Sequence, residues 1–320
     1  MKTLAVTIGD NQPAVKDFSL VDRWINFAQV KPTTEKAYRK GIKNFVGYLR
    51  KVGINSPADV TRQTCVDYRN NLETAYKSAS TRNLYITSVK LFFAFLHVEG
   101  FISNNPALHL KGFKISSNHK RDAVTIQDNK QILSNFDTST LKGKRDYALY
   151  TLLAVTGLRT VEASRALVGD LREEINGEIF LYIQGKGRDD KGDKVHVPAA
   201  VLNILQNYLN ARGNVSKSDP LFASLSNRNY GKAISTCTIS TTIKKIFRDS
   251  GINKNNLRNI SAHSLRHGAA TTALMNGASL REVQNFLRHT SINVTTRYLH
   301  DIDRLNNPSE SLVASAFGLV

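Results

Sequence analysis

The sequence predicts a mainly α-helical protein with a small antiparallel β-sheet, split into an N-terminal helical bundle and a larger mixed α/β domain. Three observations predict it. Apolar residues recur at three- and four-residue spacing through most of the chain. The β-branched and aliphatic runs from Ile179 to Ile183 and from Lys194 to Val197 flank one Gly/Asp/Lys loop, a hairpin signal. Residues 103–122 carry Pro106, Gly112 and many polar side chains without periodicity, which marks a boundary.

Residues 1–15 read as a flexible arm. From Phe18 to about Val30 the residues Val21, Trp24, Ile25 and Ala28 repeat at helical spacing. Pro32 breaks that run, and Thr33-Thr34 can cap a second helix with Tyr38, Ile42, Phe45 and Leu49 on its apolar face. Lys36, Arg39, Lys40 and Lys43 fall mostly off that stripe, as phosphate contacts or simply as a solvated face. A third helix is expected from Thr64 to Ser78. A fourth starts at Ser80-Thr81, carries Leu84, Val89, Leu91, Phe92, Phe95 and Leu96, and ends near Gly100. Residues 16–105 thus form a small bundle, 106–122 a linker, 123–305 the second domain and 306–320 a tail. In the second domain Asp128 opens a helix and Arg145 to Thr156 form an apolar one. Further helices are expected over 201–211, 240–250, 263–276 and 280–288, and Ser291 caps a last short one containing Tyr298.

The 320 residues carry 44 Lys+Arg against 26 Asp+Glu, a formal charge of +18. Residues 1–125 hold 19 basic and 9 acidic side chains, net +10, which leaves +8 for residues 126–320. A basic excess in both parts is the footprint of a polyanionic partner. Cys65 and Cys237 have no CxxC partner, so neither a disulfide framework nor a zinc site is expected, and a reducing cytoplasm fits. No apolar run approaches ~18 residues, so no membrane association is expected.

Five short segments hold most of the potential chemistry of the second domain. In TGLRTVEA, Arg159 and Glu162 lie three apart, on one side of a helix turn. GKG carries Lys186 on the hairpin. In HSLRH, His263 and Arg266 share a helix face; LRHTS supplies His289 and TRYLH supplies Tyr298. Nine residues separate His289 from Tyr298, so a continuous helix would set them on opposite faces. Ser291 and Asn293 supply a break that lets both face one site. Attack on a phosphodiester builds negative charge around phosphorus, and two planar guanidinium forks suit that charge at any working pH. Histidine can donate to an oxygen or shuttle a proton near neutrality. A phenol is a competent nucleophile once its proton is removed, and a lysine can protonate the leaving oxygen. Preorganised positive charge then replaces a metal ion. Glu162 fits a structural pairing with Arg159.

These motifs resemble the tyrosine recombinase (lambda-type integrase) family, and within it the Xer-like members, over nearly the whole chain. TGLRTVEA is similar to the family's first arginine motif. HSLRHGAATTALMNGASLREVQNFLRHTSINVTTRYLH is similar to its histidine, second arginine, second histidine and tyrosine block. STRNLYITSVKLFFAFLHVEGFISNNPA is similar to the end of its core-binding domain. The resemblance implies a helical core-binding domain followed by a catalytic domain, and catalytic roles for Arg159, His263, Arg266, His289 and the nucleophile Tyr298, with Glu162 supporting. Lys186 is the implied general acid, with Lys191 and Lys194 as alternatives in a hairpin loop longer than the family's usual one. It further implies site-specific recombination of duplex DNA through a 3′-phosphotyrosine and a Holliday junction. No cofactor or metal is implied. The partner is a tetramer of this chain, or one shared with a related recombinase. Lys36, Arg39, Lys43, Arg82 and Lys90 are the expected DNA contacts of the bundle. Arg288 stands where the family often has Gly, adding positive charge at the site's edge. The tail after Pro308 is expected to dock on a neighbouring protomer or to fold back on its own domain. A type IB topoisomerase and a non-catalytic DNA-binding protein of this fold are the competing readings.

Overall fold

The computed structural model describes residues 18–115, 122–185, 188, 190–253, 258–296, 298 and 309–319. The chain divides into two compact units between Ser116 and Ser117.

The first unit is a bundle of α1 (Phe18–Ala28), α2 (Pro32–Lys51), α3 (Arg62–Ala75) and α4 (Ala79–Val98). Pro32 starts α2 instead of preceding it. Its fixed φ and missing N–H suit the first helical position, and Lys31 is the N-cap. Thr61 and Thr64 form a reciprocal capping box that starts α3 before Thr64, and the Ser78 side chain caps α4 by accepting from the Thr81 N–H. Trp24, Ile42, Phe45, Leu49, Val89, Phe92, Phe95 and Leu96 are buried together. Leu91, expected in that stripe, is 40% exposed because the buried face of α4 runs through Ser88, Val89, Phe92 and Phe93.

The start of the segment expected as a linker is packed on this bundle. Ala107, Leu110 and Phe113 join its core. The Asn83 side chain accepts from the Phe113 N–H at 2.7 Å and donates to the Phe113 carbonyl at 2.8 Å. Arg69 and Arg82 each place a guanidinium over the Phe113 ring, at 4.2 and 4.3 Å.

The second unit contains α5 (Ile126–Ser134), α6 (Leu141–Thr156), α7 (Thr160–Arg165), β1 (Leu171–Glu173), β2 (Ile179–Ile183), β3 (Asp193–His196), α8 (Ala199–Arg212), α9 (Thr236–Asp249), α10 (Ala262–Met275) and α11 (Leu280–Leu287). The helical segment 292–296 is α12, and Ser309–Ala316 is α13. The three strands form an antiparallel sheet in the order β1-β2-β3, with Leu181 opposite both Leu171 and Val195. Three residues are too few to show an alternation, so β1 has no signal of its own in the sequence.

Helix α6 is the centre of this unit. Ala148, Leu149, Tyr150, Leu152 and Leu153 are all buried, so apolar side chains surround its axis rather than marking one stripe. Helix α10 is fixed by a close backbone approach. Val124 donates to the Ser264 carbonyl at 3.3 Å, and a Cβ on Gly268 would lie 2.3 Å from the Val124 carbonyl oxygen. Gly268→Ala is therefore expected to destabilise the second unit by about 1–3 kcal/mol through overpacking against backbone. Urea unfolding of the variant measures it. Among the described residues no helix is long and apolar enough to cross a membrane.

Candidate active site

Helix α6 ends at Gly157, whose φ of +59° is the left-handed conformation that glycine adopts without strain. A Cβ there would also meet Leu287 Cδ2 at 2.9 Å. The sharp stop turns the chain so that Arg159 becomes the N-cap of α7. Glu162, on the first turn of α7, is buried and accepts twice from Arg159. The backbone N–H donates to Oε2 at 2.8 Å and Nη1 donates to Oε1 at 2.8 Å. The expected Arg159–Glu162 pairing is present, and it leaves the Arg159 side chain 28% exposed while its carboxylate partner is at 0%.

Arg266 projects from α10 and is 1% exposed. Its Nη1 donates to the Gly157 carbonyl at 2.6 Å and its Nη2 to the Leu287 carbonyl. One guanidinium thus joins the end of α6 to the end of α11. Burial, and after it the charges of Arg159 and Arg288, lower the Arg266 pKa to about 9, which leaves it protonated at neutral pH.

Arg288 ends α11 with a φ of +54° and ψ of +47°. That backbone conformation is the physical reason glycine suits the position. Its side chain is largely buried and donates from Nη1 to the Phe286 carbonyl at 2.8 Å and from Nη2 to Glu162 Oε2 at 3.1 Å. The charge expected at the edge of the site is therefore paired with Glu162, and burial lowers its pKa.

The left-handed turn at Arg288 also separates α11 from α12, so the break falls before Asn293 rather than at it. It brings His289 against Tyr298, with ring planes 9° apart and centroids at 6.3 Å. His289 Nδ1 and the Thr295 hydroxyl share a hydrogen bond of 2.9 Å. Burial, followed by Arg266, Arg159, Arg288 and His263, lowers the His289 pKa to about 4, so its imidazole is neutral at pH 7. Tyr298 is 2% exposed and packs with Ala270, Val283 and Leu287. His267 lies against it at 4.9 Å between centroids.

His263 is exposed in a cleft of about 620 Å³ that also holds Arg159, Thr160, Ser240, Lys244 and Ser261. Lys244 borders a second basic cleft with Arg248 and Arg258. Lys186 lies outside the described residues. Of its two alternatives, Lys191 is paired with Asp170 at 2.5 Å, and Lys194 with Glu174 at 2.8 Å. In the bundle, Lys36 and Lys43 are exposed and Lys90 is half-buried. Arg39 is held by Glu35 at 2.8 Å and Asp22 at 2.5 Å. Arg82 is 15% exposed, stacked on Phe113 and within 3.5 Å of Glu73. Both of the last two make contacts inside the unit.

Sequence reasoning missed His267, Thr295 and Lys244. His267 directly follows Arg266, and Thr295 lies three residues before Tyr298, so both were within reach of motif spacing. Lys244 belongs to α9, whose buried face is Ile239, Ile243 and Phe247, and lies in no motif that would have marked it.

Known proteins share this layout. The phage integrase family profile matches residues 123–304, and that of the phage integrase N-terminal SAM-like domain matches residues 25–100. A tyrosine recombinase XerD of Listeria monocytogenes is 30% identical over 291 residues, covering 88% of this chain and 93% of the relative. A tyrosine recombinase XerC 2 of Ralstonia nicotianae is 30% identical over 276 residues, covering 83% and 76%. The fold is also that of a lambda integrase dimer bound to a COC′ core site (TM-score 0.69, 19% identity, 90% of this chain and 78% of that one). XerH recombinase bound to palindromic difH substrate matches similarly (TM-score 0.68, 20% identity, 90% and 86%). With the integrase profile spanning more than half of its length and XerD at 30% identity over most of the rest, the chain belongs to the phage integrase family and is a tyrosine site-specific recombinase.

Proposed function

We propose that Tyr298 is the nucleophile and that Arg159, Arg266 and His289 bind the phosphate it attacks. The observation that carries this reading is that the Arg266 charge and the neutral His289 imidazole lie at the Tyr298 ring, while Arg159, held by Glu162, is close enough to act electrostatically on both Arg266 and His289. The phenolic oxygen forms a bond to phosphorus as the bond from phosphorus to the 5′ oxygen breaks, giving a 3′-phosphotyrosine. Arg159 and Arg266 take up the charge that develops on the non-bridging oxygens. In the tautomer that accepts from the Thr295 hydroxyl at Nδ1, neutral His289 carries its proton on Nε2 and offers it to the same phosphate. His263, in the cleft with Arg159, assists the phenolic proton's departure, and Lys186 protonates the leaving 5′ oxygen. The phosphotyrosine conserves the energy of the broken bond, so a partner strand's 5′ hydroxyl reverses the chemistry without ATP.

On this reading the chain acts on duplex DNA in the cytoplasm, as a tetramer of itself or with a related recombinase, through a Holliday junction. Its role is either chromosome dimer resolution or integration and excision of a mobile element. Lys36, Arg39, Lys43, Arg82 and Lys90 of the bundle are phosphate contacts, and in the second unit Lys244, which shares a cleft with Arg159, is another.

The test is to trap covalent adducts on sheared genomic DNA of the source cell and sequence the attached ends. Ends converging on one short sequence support a recombinase. Scattered ends, with relaxation of a supercoiled plasmid lacking that sequence, would support the topoisomerase reading. The absence of any adduct would leave a DNA-binding protein.

Helix α13 exposes Leu312 and Val313, Phe317 and Leu319 follow it exposed, and none of its side chains is buried. That supports docking on a neighbouring protomer over folding back. Removing residues 309–320 is expected to abolish cooperative binding and synapsis while single-site affinity is kept, as read by gel shift. Unchanged cooperativity would reject docking.

A further inference from the structure

Arg288 carries a β-carbon in a left-handed conformation, one of two described non-glycine residues with positive φ, alongside Gln29. A side chain there is strained, so its guanidinium must return something to the structure. Where it goes is informative. Among the described residues the buried Glu162 carboxylate has three donors: Arg159 Nη1 on Oε1, and both the Arg159 N–H and Arg288 Nη2 on Oε2. Arg288 is therefore the donor that reaches this carboxylate from another element, 126 residues away in sequence. It also donates to the Phe286 carbonyl, one turn end from the backbone of His289.

We propose that Arg288 is a positioning residue of the recombination reaction: it clamps the Glu162 carboxylate that aims Arg159 and ties it to the turn that carries His289. Arg266 braces the same two chain segments through the carbonyls of Gly157 and Leu287. The two braces differ in kind. Arg266 holds backbone to backbone and keeps its charge close to Tyr298, whereas Arg288 spends its charge on the carboxylate that orients another arginine. Without Arg288, Oε2 retains one donor, and the Glu162 side chain gains freedom to rotate away from Arg159. A small displacement of a charge-stabilising group lowers rate far more than affinity.

A second consequence follows from position. The charged and titratable groups recorded as acting on His289 are Arg159 at the start of α7, His263 and Arg266 from α10 and Arg288 at the α11 terminus, with the Tyr298 ring stacked against it. Three fixed cations in this set disfavour its protonation, so removing one raises the pH at which the imidazole gains a proton.

The proposal rests on the recombinase roles assigned above, and its test has two arms. In the first, Arg288→Gly, Arg288→Met and Arg288→Lys are compared with the wild-type chain on a nicked duplex built from the sequence recovered in wild-type adducts. The expected result is a fall in adduct formation rate at saturating DNA of roughly tenfold or more for Gly and Met, with DNA affinity unchanged. Lys, which keeps one charged donor, is expected to recover part of the rate. In the second arm, needing no DNA, NMR titration of labelled histidine is expected to place the His289 transition higher in Arg288→Gly than in wild type. Thermal melting accompanies both, and the glycine variant is expected to melt no lower than the methionine one because it relieves the backbone. A wild-type rate in Arg288→Gly, or a loss confined to affinity, would overturn the proposal. A wild-type chain that forms no adduct on any DNA would instead sink the recombinase roles, and an unmoved His289 titration would then remove Arg288 from the site as well.

Discussion

Replacing Tyr298 with Phe is expected to abolish covalent attachment to DNA while leaving duplex binding intact. The substitution deletes one oxygen and keeps the ring that packs on Ala270, Val283 and Leu287 and stacks on His289. Losing the hydroxyl is expected to cost the fold about 1–3 kcal/mol at most. The chemical step loses its nucleophile, so the rate of adduct formation is expected to drop by ~10⁴-fold or more. Binding is carried by basic side chains elsewhere, and its salt dependence stays as in the wild-type chain. Denaturing gels of chain mixed with its nicked site read the adduct, and gel shifts read binding. Loss of both together would mean that the tyrosine holds the fold rather than reacting.

Arg266→Lys is expected to be nearly as damaging, for two separable reasons. The guanidinium fork serves the Gly157 and Leu287 carbonyls at once and brings its charge beside Arg159 and Tyr298. An ammonium is a point donor on a flexible stem and reproduces neither the fork nor its reach. One buried carbonyl is left without its donor, which costs about 1–3 kcal/mol of stability. The phosphate loses a bidentate partner, and the adduct rate is expected to fall by roughly 10²–10³. Urea unfolding and adduct kinetics on the same preparation separate the two losses. A variant as stable and as fast as wild type would show that Arg266 is an ordinary buried brace.

Arg159, Glu162, Arg266, His289 and Tyr298 of the candidate site could be picked out in the sequence because each sits in a short motif whose neighbours have a local structural job. Gly157 is legible as a helix stop, Glu162 as the partner three residues after Arg159, and the interval from His289 to Tyr298 as a broken helix. The contacts that join these motifs were not legible. Nothing in LRHTS says that Arg288 turns back to Glu162, because that bond depends on a left-handed backbone and on how α11 meets α7. The same limit explains the bundle. Arg82 and Arg39 read as candidate DNA contacts without their intramolecular partners being visible, because spacing reports which face a residue occupies, not what packs on that face. Phe113, outside any helical pattern, and Asp22, on another helix, claim them. Likewise Ala107, Leu110 and Phe113 lack periodicity and read as a linker, yet Asn83 and two arginines hold the segment in the first core. Helix α6 was legible as apolar, but its central place in the second unit comes from its neighbours α8 and α10, which only tertiary structure supplies.

The account depends on Arg159 at the start of α7, Arg266 from α10 and His289 after α11 meeting one phosphate beside Tyr298. Mass spectrometry of the adduct, trimmed by nuclease and digested with trypsin, tests this most directly. The predicted result is a nucleotide joined through its 3′ phosphate to Tyr298, formed at the wild-type level and lost when Arg159 or Arg266 is changed to Ala. A nucleotide found on any other side chain, or on Tyr298 at undiminished level in both alanine variants, would contradict it.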